Sequence, residues 1–216
     1  AHNGNLVNAG ELRREIELDG GIFRSSNDTE VLVYTIVKER LKCASIEEAV
    51  LSTMKRIEGA YSLVVMSPRK LIAARDPHGF RPLCIGLLDG DCYVFASETC
   101  ALDALGAKFI RDVEPGEVCV VENGKLRSMH CDIKCKTSAC VFEYIYFARP
   151  DSIIDGASVE LARQEAGKYL SIEHPVGADV VIGVPDSGIP AAIGYAKFSG
   201  IPYGVGLIKK RYIAPT

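Results

Sequence analysis

Four short runs rich in β-forming residues decide the fold: YSLVVMS (61–67), KLIAARD (70–76), PLCIGLL (82–88) and CYVFAS (92–97). Pro, Gly and Asp turn signals separate them, and connections this short favour antiparallel pairing of consecutive strands. Further along, EVCVVENGKLRSM (117–129) predicts a hairpin with Asn123-Gly124 as its turn. The centre of the chain is therefore expected to form antiparallel sheets.

Two helices are predicted upstream of these strands. NDTEVLVYTIVKERLK (27–42) begins with Asn27 as an N-cap, and Glu30 stands three positions on, as a capping box requires. SIEEAVLSTMKRI (45–57) carries apolar residues on one helical face. Residues 1 to about 130 should therefore form a helix-covered antiparallel sheet system.

The pattern changes near FARPDSIIDG (147–156). An amphipathic helix is predicted over 158–170, followed by a buried strand (DVVIGVP, 179–185), a helix (189–200) and another strand (201–210). Strand, helix and strand at this spacing form a βαβ unit of a parallel sheet. Two parallel strands bury too little apolar area to be a complete sheet, so we expect the chain to be part of a longer protein.

Composition excludes several classes of function. The 216 residues carry a net charge of −3 without a basic cluster, so nucleic acid is not an expected partner. No apolar run approaches the ~20 residues needed to span a bilayer, and the first residues lack the pattern of a signal peptide. The eight cysteines are therefore expected to be unpaired, and most of them to be small buried apolar residues. The spacing of Cys131, Cys135 and Cys140 is only weakly suggestive of a metal site.

Three local features allow two interpretations each. Asn3-Gly4 is typical of a hairpin turn, but an Asn amide beside a Gly N–H can also stabilise an oxyanion. Asp28 complements the helix dipole or binds a ligand ammonium group. In the loop PDSG (185–188), Ser187 either caps the next helix or belongs to a phosphate site at the carboxyl end of a strand. The histidines, His2 included, show no spacing that indicates a site.

Eight ordered segments, spread from position 1 to position 216, resemble the amidophosphoribosyltransferase family: AHNGNLVNAGEL, SSNDTEVL, ARDPHGFRPLCIG, FASETCALD, RDVEPGEV, EYIYFARPDSIIDG, DVVIGVPDSGIPAAIGYA and GLIKKRYIAPT. The resemblance implies an α+β glutaminase domain, an N-terminal-nucleophile (Ntn) hydrolase αββα sandwich, over residues 1–140. It implies the start of an α/β type I phosphoribosyltransferase domain over 141–216. The implied reaction transfers glutamine-derived ammonia to phosphoribosyl pyrophosphate (PRPP) and gives 5-phosphoribosylamine, the first step of purine biosynthesis.

The same resemblance implies roles for individual residues. Asn3 and Gly4 would hold the oxyanion, and Asp28 would bind the α-ammonium group of glutamine. Ser187 would lie in the pyrophosphate loop near Mg²⁺, GLIKKRY (206–212) would begin a mobile loop over PRPP, and Cys140 would be the first ligand of a [4Fe–4S] cluster. Further implications are purine nucleotide inhibitors, a cytoplasmic location and a homo-oligomer, expected to be a homotetramer.

The chain also departs from the family pattern. The family's leading Cys, its glutamine-binding Arg, its acidic PRPP-binding pair and three cluster cysteines are not among these residues. We therefore expect the 216-residue chain alone to be inactive. Two other interpretations remain open: a non-catalytic relative or interaction module that kept the fold, and a sugar-amidating transferase with the same His-Asn-Gly start.

Overall fold

The computed structural model describes residues 1–210. The chain folds into two compact units, Ala1–Ala139 and Cys140–Thr216. The sequence-based boundary lies one residue later, between 140 and 141. None of the helices in the described residues is both long and apolar enough to cross a membrane.

The first unit contains an antiparallel sheet of five strands: β1 (His2–Leu6), β2 (Gly59–Met66), β3 (Lys70–Arg75), β7 (Glu117–Glu122) and β8 (Lys125–His130). They are neighbours in the order β1-β2-β3-β7-β8. Three helices cover one face: α1 (Ala9–Leu18), α2 (Asp28–Arg40) and α3 (Ile46–Met54). The core between this face and the helices includes Leu6, Val31, Val50, Tyr61 and Ile72, so β1 is held in place by helix packing as well as by pairing.

A second antiparallel sheet completes the first unit; it consists of β4 (Cys84–Leu88), β5 (Cys92–Ala96) and β6 (Lys108–Asp112), with α4 (Thr99–Leu105) beside it. Its strand order is β5-β4-β6. Ala73 and Cys119 of the five-stranded sheet share a core with Ile85 of the second sheet. Leu102 of α4 packs with Cys84 in another cluster. The layers therefore follow the order helix, sheet, sheet, helix, which confirms the predicted helix-covered antiparallel system.

Local signals in the first unit were confirmed in part. Asn123 and Gly124 have φ values of 51° and 70°, as the predicted hairpin turn requires. Asn27 caps α2, but its side chain accepts from Thr29 N–H. The expected capping box does not form, because the Glu30 carboxylate accepts from the backbone of Arg24 and Ser25 instead. Asn3-Gly4 lies inside strand β1 and forms no turn.

The second unit begins with a π-helical turn (Glu143–Phe147) and a short hairpin of β9 (Ile153–Ile154) and β10 (Ala157–Ser158). Helix α5 (Val159–Glu173) follows, with the Ser158 hydroxyl accepting from Leu161 N–H as its cap. Strand β11 (Val181–Ile182) and strand β12 (Tyr203–Gly204) pair in parallel, and α6 (Gly188–Ser199) connects them. This confirms the predicted βαβ unit.

Strand lengths, cysteine burial and some of the elements differ from the sequence-based expectations. The two parallel strands are two residues long each, shorter than the predicted runs 179–185 and 201–210, because each has a single partner strand among the described residues. Most of the cysteines were expected to be buried, but only Cys84 and Cys119 are; both lie on sheet strands that pack in the core, and the other six are partly or fully exposed. The elements α1, α4 and β6 were not predicted.

Candidate functional site

The edge strand β1 carries the first candidate site. Ala1 and Val64 exchange backbone hydrogen bonds of 2.7 and 3.0 Å, and Val7 N–H donates to Glu58 O at 2.8 Å. Antiparallel pairing alternates, so odd-numbered residues of β1 bond to β2 while the even-numbered ones direct their N–H groups to the opposite edge. Gly4 N–H therefore points to the edge of β1 that has no partner strand among the described residues.

Gly4 is required at its position by sterics. Its φ is 151°, and a Cβ built there would lie 1.9 Å from the carbonyl oxygen of Ala60 on β2. No side chain can replace the hydrogen without moving one of the two strands. The glycine therefore allows β1 to pair closely with β2, while its N–H lies on the opposite edge of the strand.

Asn3 faces the space between the two sheets. Its register partner on β2 is Ser62, and its Nδ2 donates to Ser97 Oγ, just after β5, at 3.4 Å. A cleft of about 180 Å³ opens here. It is lined by Ala1, His2, Asn3, Ser62, Val64, Leu83, Phe95, Ala96 and Ser97. The Asn3 residue is exposed, and its amide is a donor that lines this small cleft.

Asp28, the first residue of α2, contacts the same edge of β1. Its Oδ2 accepts from Leu6 N–H at 2.9 Å, and its Oδ1 lies 3.8 Å from His2 Nδ1. The side chain keeps 21 % of its surface exposed, so the carboxylate is fixed on one side and open to solvent on the other. This geometry suits a carboxylate that binds a ligand ammonium group.

His2, on β1, contacts both Asp28 and Thr29 at the start of α2. Its side chain is almost fully buried, since only 2 % of it is exposed, and Nδ1 lies 2.9 Å from Thr29 Oγ1. Burial lowers the pKa of His2, although the nearby Asp28 carboxylate opposes that shift. The imidazole is therefore neutral at pH 7 and leaves the negative charge of Asp28 available to a cationic ligand.

The thiols buried in the first unit are poor nucleophiles. Burial raises the pKa of Cys84 to about 12 and that of Cys119 to about 12. Both remain protonated at neutral pH, whereas attack on a carbonyl group needs a thiolate or a base that removes the proton. These two cysteines therefore act as small apolar residues of the hydrophobic core.

The second candidate site is a cleft of about 350 Å³ in the second unit, at the start of α6. Ser187 occupies the N-cap position of α6 but makes no side-chain cap hydrogen bond, so its hydroxyl is not used as a cap. Lys209 Nζ pairs with Asp186 Oδ2 at 3.1 Å, and Arg149 lines the same cleft. Carboxylate and hydroxyl oxygens are suitable ligands of Mg²⁺, and basic side chains are suitable partners of phosphate groups.

Cys140, half-buried, begins the second unit, and no other cysteine of residues 140–210 is available to it. A [4Fe–4S] cluster needs four ligands, so the described residues alone do not fit one. Among these residues there is also no group of three or more His, Cys, Asp and Glu side chains that could hold a metal ion. Mg²⁺ needs fewer protein ligands than the cluster does, because it commonly binds through one or two protein oxygens and substrate phosphates.

The structure thus places Gly4 N–H and Asp28 at the same edge of β1 and directs the Asn3 side chain into the space between the sheets, whereas Ser187 and Cys140 belong to the other unit. Sequence reasoning missed His2, Thr29 and Ser97. Thr29 follows Asp28 directly and could have been considered with it. Ser97 lies 94 residues from Asn3, and no local pattern connects the two.

The sequence of this chain is similar to sequences of known proteins. Residues 1–104 match the family described as "Glutamine amidotransferase domain". Amidophosphoribosyltransferases of Methanocaldococcus jannaschii and Archaeoglobus fulgidus are 48% and 50% identical over 100% of this chain. The Bacillus subtilis enzyme is 49% identical over the same extent. The chain belongs to the amidophosphoribosyltransferase family.

Solved structures of this family have the same fold. The chain superposes with a TM-score of 0.93, at 49% identity, on a structure described as the allosteric regulatory enzyme of purine biosynthesis, covering 100% of this chain and 46% of that one. It superposes with a TM-score of 0.92, at 48% identity, on the Bacillus subtilis glutamine PRPP amidotransferase complexed with ADP and GMP, covering 100% and 48%. The chain spans about half the length of the curated relatives it matches, 49%, 47% and 45% of the three named above.

Proposed function

We propose that the whole protein to which this chain belongs is a glutamine-dependent amidophosphoribosyltransferase. It releases ammonia from the side-chain amide of glutamine, and the ammonia displaces pyrophosphate from C1 of PRPP to give 5-phosphoribosylamine. The observation that carries the proposal is the placement of Asp28 and Gly4 on the same free edge of β1. Identity near one half over the full chain to enzymes of this name supports it.

The first unit is proposed to cleave glutamine. A base takes the proton of a cysteine thiol, the thiolate attacks the amide carbon, the C=O π electrons move to oxygen, and the resulting tetrahedral oxyanion accepts hydrogen bonds from Asn3 Nδ2 and Gly4 N–H. When the C=O bond re-forms, the C–N bond breaks, and the nitrogen takes the proton from the base and leaves as ammonia. Water then hydrolyses the thioester, which gives glutamate and restores the thiol. Asp28 binds the α-ammonium group and orients the substrate. The proposal assigns the attacking thiol to a family cysteine other than the eight in this chain.

The second unit is proposed to begin a type I phosphoribosyltransferase domain that binds PRPP. Asp186 and Ser187 would provide oxygen atoms to Mg²⁺, and Arg149 and Lys209 would neutralise phosphate charge in the same cleft. Bound Mg²⁺ would stabilise the negative charge of the departing pyrophosphate. The predicted mobile loop GLIKKRY (206–212) lies partly outside the described residues, since its last two positions follow residue 210.

Other properties follow from the resemblance alone and belong to the same proposal. Cys140 would provide one ligand of a [4Fe–4S] cluster, with the remaining three from outside residues 1–210. Purine nucleotides would inhibit, and the protein would be a cytoplasmic homotetramer. The nucleotide complex of the Bacillus subtilis relative supports the inhibitor class.

The test is steady-state kinetics of the full-length protein and its Asn3→Ala variant. Removing one oxyanion donor should lower kcat with glutamine about 10²- to 10³-fold. The rate with PRPP and free ammonium should not change, because free ammonia bypasses the first site. Equal kcat values with glutamine for the two proteins would refute the role of Asn3, and a wild-type protein that releases no ammonia from glutamine would favour the non-catalytic relative.

A further inference from the structure

The Asn3 amide has two N–H groups, and only one is needed for an oxyanion. An unrestrained Asn side chain rotates about χ2, which is a broad torsion, so its donor would not stay aimed at one point. A second partner that takes the other N–H fixes the plane of the amide. The residue that plays this part determines how well the donor is pre-organised.

Two hydroxyl groups line the cleft near Asn3, those of Ser62 and Ser97. Ser62 is opposite Asn3 in the β1–β2 register, but its hydroxyl already contacts the backbone carbonyl oxygens of Pro82 at 3.0 Å and Arg81 at 3.3 Å. Ser97 Oγ accepts from Asn3 Nδ2 at 3.4 Å. Ser97 is therefore the hydroxyl that holds the Asn3 amide.

The backbone around Ser97 is well anchored. Ala96, the last residue of β5, pairs with Cys84 of β4, and the Cys84 thiol donates to the Ala96 carbonyl oxygen at 3.2 Å. Helix α4 begins two residues after Ser97, at Thr99. The backbone that carries the Ser97 hydroxyl is therefore held by the second sheet, whereas Asn3 belongs to the first sheet.

We propose that Ser97 is a positioning residue for the oxyanion donor. Its Oγ accepts one N–H of the Asn3 amide and leaves the other directed at the oxygen of the tetrahedral intermediate. Both sheets of the first unit thereby contribute to the oxyanion site: β1 provides the donor Asn3, and Ser97, which follows β5, orients it. This inference rests on the proposed function, since it assigns Ser97 a part in glutamine cleavage.

The experiment measures glutamine hydrolysis by the full-length protein and its variants Ser97→Ala, Ser97→Thr and Asn3→Ala. Ser97→Ala should lower kcat about 5- to 20-fold while KM for glutamine stays within about twofold, because only transition-state stabilisation is lost. Ser97→Thr keeps the hydroxyl and should restore most of kcat. Ser67→Ala removes a hydroxyl from the β2–β3 turn, away from the cleft, and should leave both constants unchanged.

The double variant separates this inference from the proposed function. If Ser97 acts through Asn3, adding Ser97→Ala to Asn3→Ala should lower kcat no further. A Ser97→Ala effect of the same size in both backgrounds, or a Ser97→Thr variant as slow as Ser97→Ala, would overturn the positioning role even though Asn3 matters. Wild-type activity in Asn3→Ala would overturn the proposed role of Asn3 and the positioning role with it.

Discussion

Arg111 and Glu117 join the two sheets of the first unit through two parallel hydrogen bonds of 2.7 and 2.8 Å. Arg111 lies on β6, in the three-stranded sheet, and Glu117 begins β7, in the five-stranded one. Glu117 is 1 % exposed and also accepts from Ser128 Oγ and Glu114 N–H. The pair holds together the sandwich whose free strand edge carries the candidate glutamine site.

Arg111→Ala is expected to destabilise the protein strongly. The variant leaves the buried Glu117 carboxylate without its charge partner, and because the Arg111 side chain is 38 % exposed, the expected loss is about 2–3 kcal/mol, below that of a fully buried pair. Urea denaturation of the whole protein should show this loss as a lower unfolding midpoint of the first unit. Lys55→Ala removes an exposed pair with Asp132 at 3.7 Å and should cost no more than about 1 kcal/mol. Equal losses of unfolding free energy for the two variants would show that the Arg111–Glu117 pair stabilises the protein no more than an exposed pair does.

Acid should destabilise the first unit through three buried glutamates. Hydrogen bonds from Ser52 and Lys42 lower the pKa of Glu39 to about 2. Burial raises the pKa values of Glu47 and Glu117, but their basic partners, chiefly Lys70 and Arg111, outweigh it and lower each to about 2.

These pKa values fix the pH range. A carboxylate with a folded-state pKa below its ordinary 4.5 adds stability above pH 4.5, and this stability is lost as the pH falls toward 2. The unfolding midpoint should therefore be flat near neutrality and fall below pH 4.5. Glu39→Gln should reduce the steepness of that fall. A midpoint that is constant from pH 4.5 down to about 2 would contradict the assignment.

Asp76 holds the loop between β3 and β4. It is 0 % exposed, and its carboxylate accepts backbone N–H groups of Tyr61, His78, Phe80 and Arg81 at 2.9–3.4 Å. Asp76→Ala would leave several buried donors unpaired, so we expect a loss of about 2–4 kcal/mol in the free energy of unfolding. Asp76→Asn keeps the acceptor oxygen and should cost clearly less. Similar losses for both variants would argue against the role of the carboxylate as an acceptor.

Gly4→Ala should disrupt the pairing of β1 with β2, because the new Cβ would approach the Ala60 carbonyl oxygen to 1.9 Å. The expected result is a destabilised protein that no longer cleaves glutamine. Gly10→Ala is the matched control, since a Cβ at this position in α1 meets nothing within 4 Å. This control should be stable, gaining up to about 1 kcal/mol from helix propensity. Gly4→Ala with normal stability and activity would refute the steric argument.

The sequence was most informative where structure depends on near neighbours. The Asn123-Gly124 turn, the Asn27 cap and the C-cap Gly200, which follows α6 with a φ of 77°, all depend on local backbone preferences. The four central strands were predicted because short apolar runs between turn residues leave few alternatives. Residue roles came from the family resemblance, since local evidence alone favoured a turn for Asn3-Gly4 and a dipole interaction for Asp28.

What the sequence could not provide depends on contacts between distant segments. The extent of β11 and β12 is set by how many partner strands they have, which a run of apolar residues does not reveal. Strand β6 is mostly exposed and carries charges at both ends, so its composition resembles a loop. Ser97 and His2 form side-chain hydrogen bonds with residues that lie 94 and 27 positions away in the sequence, and no local pattern reveals such contacts.

The most direct test of the account is KM for glutamine in the full-length protein and its Asp28→Asn variant. Loss of the carboxylate charge removes an interaction with the α-ammonium group that exists in the ground state and the transition state alike. We predict that KM for glutamine rises about 30-fold or more while kcat changes less than about threefold, with KM for PRPP unaffected. An unchanged KM for glutamine would contradict the placement of the glutamine site at the free edge of β1.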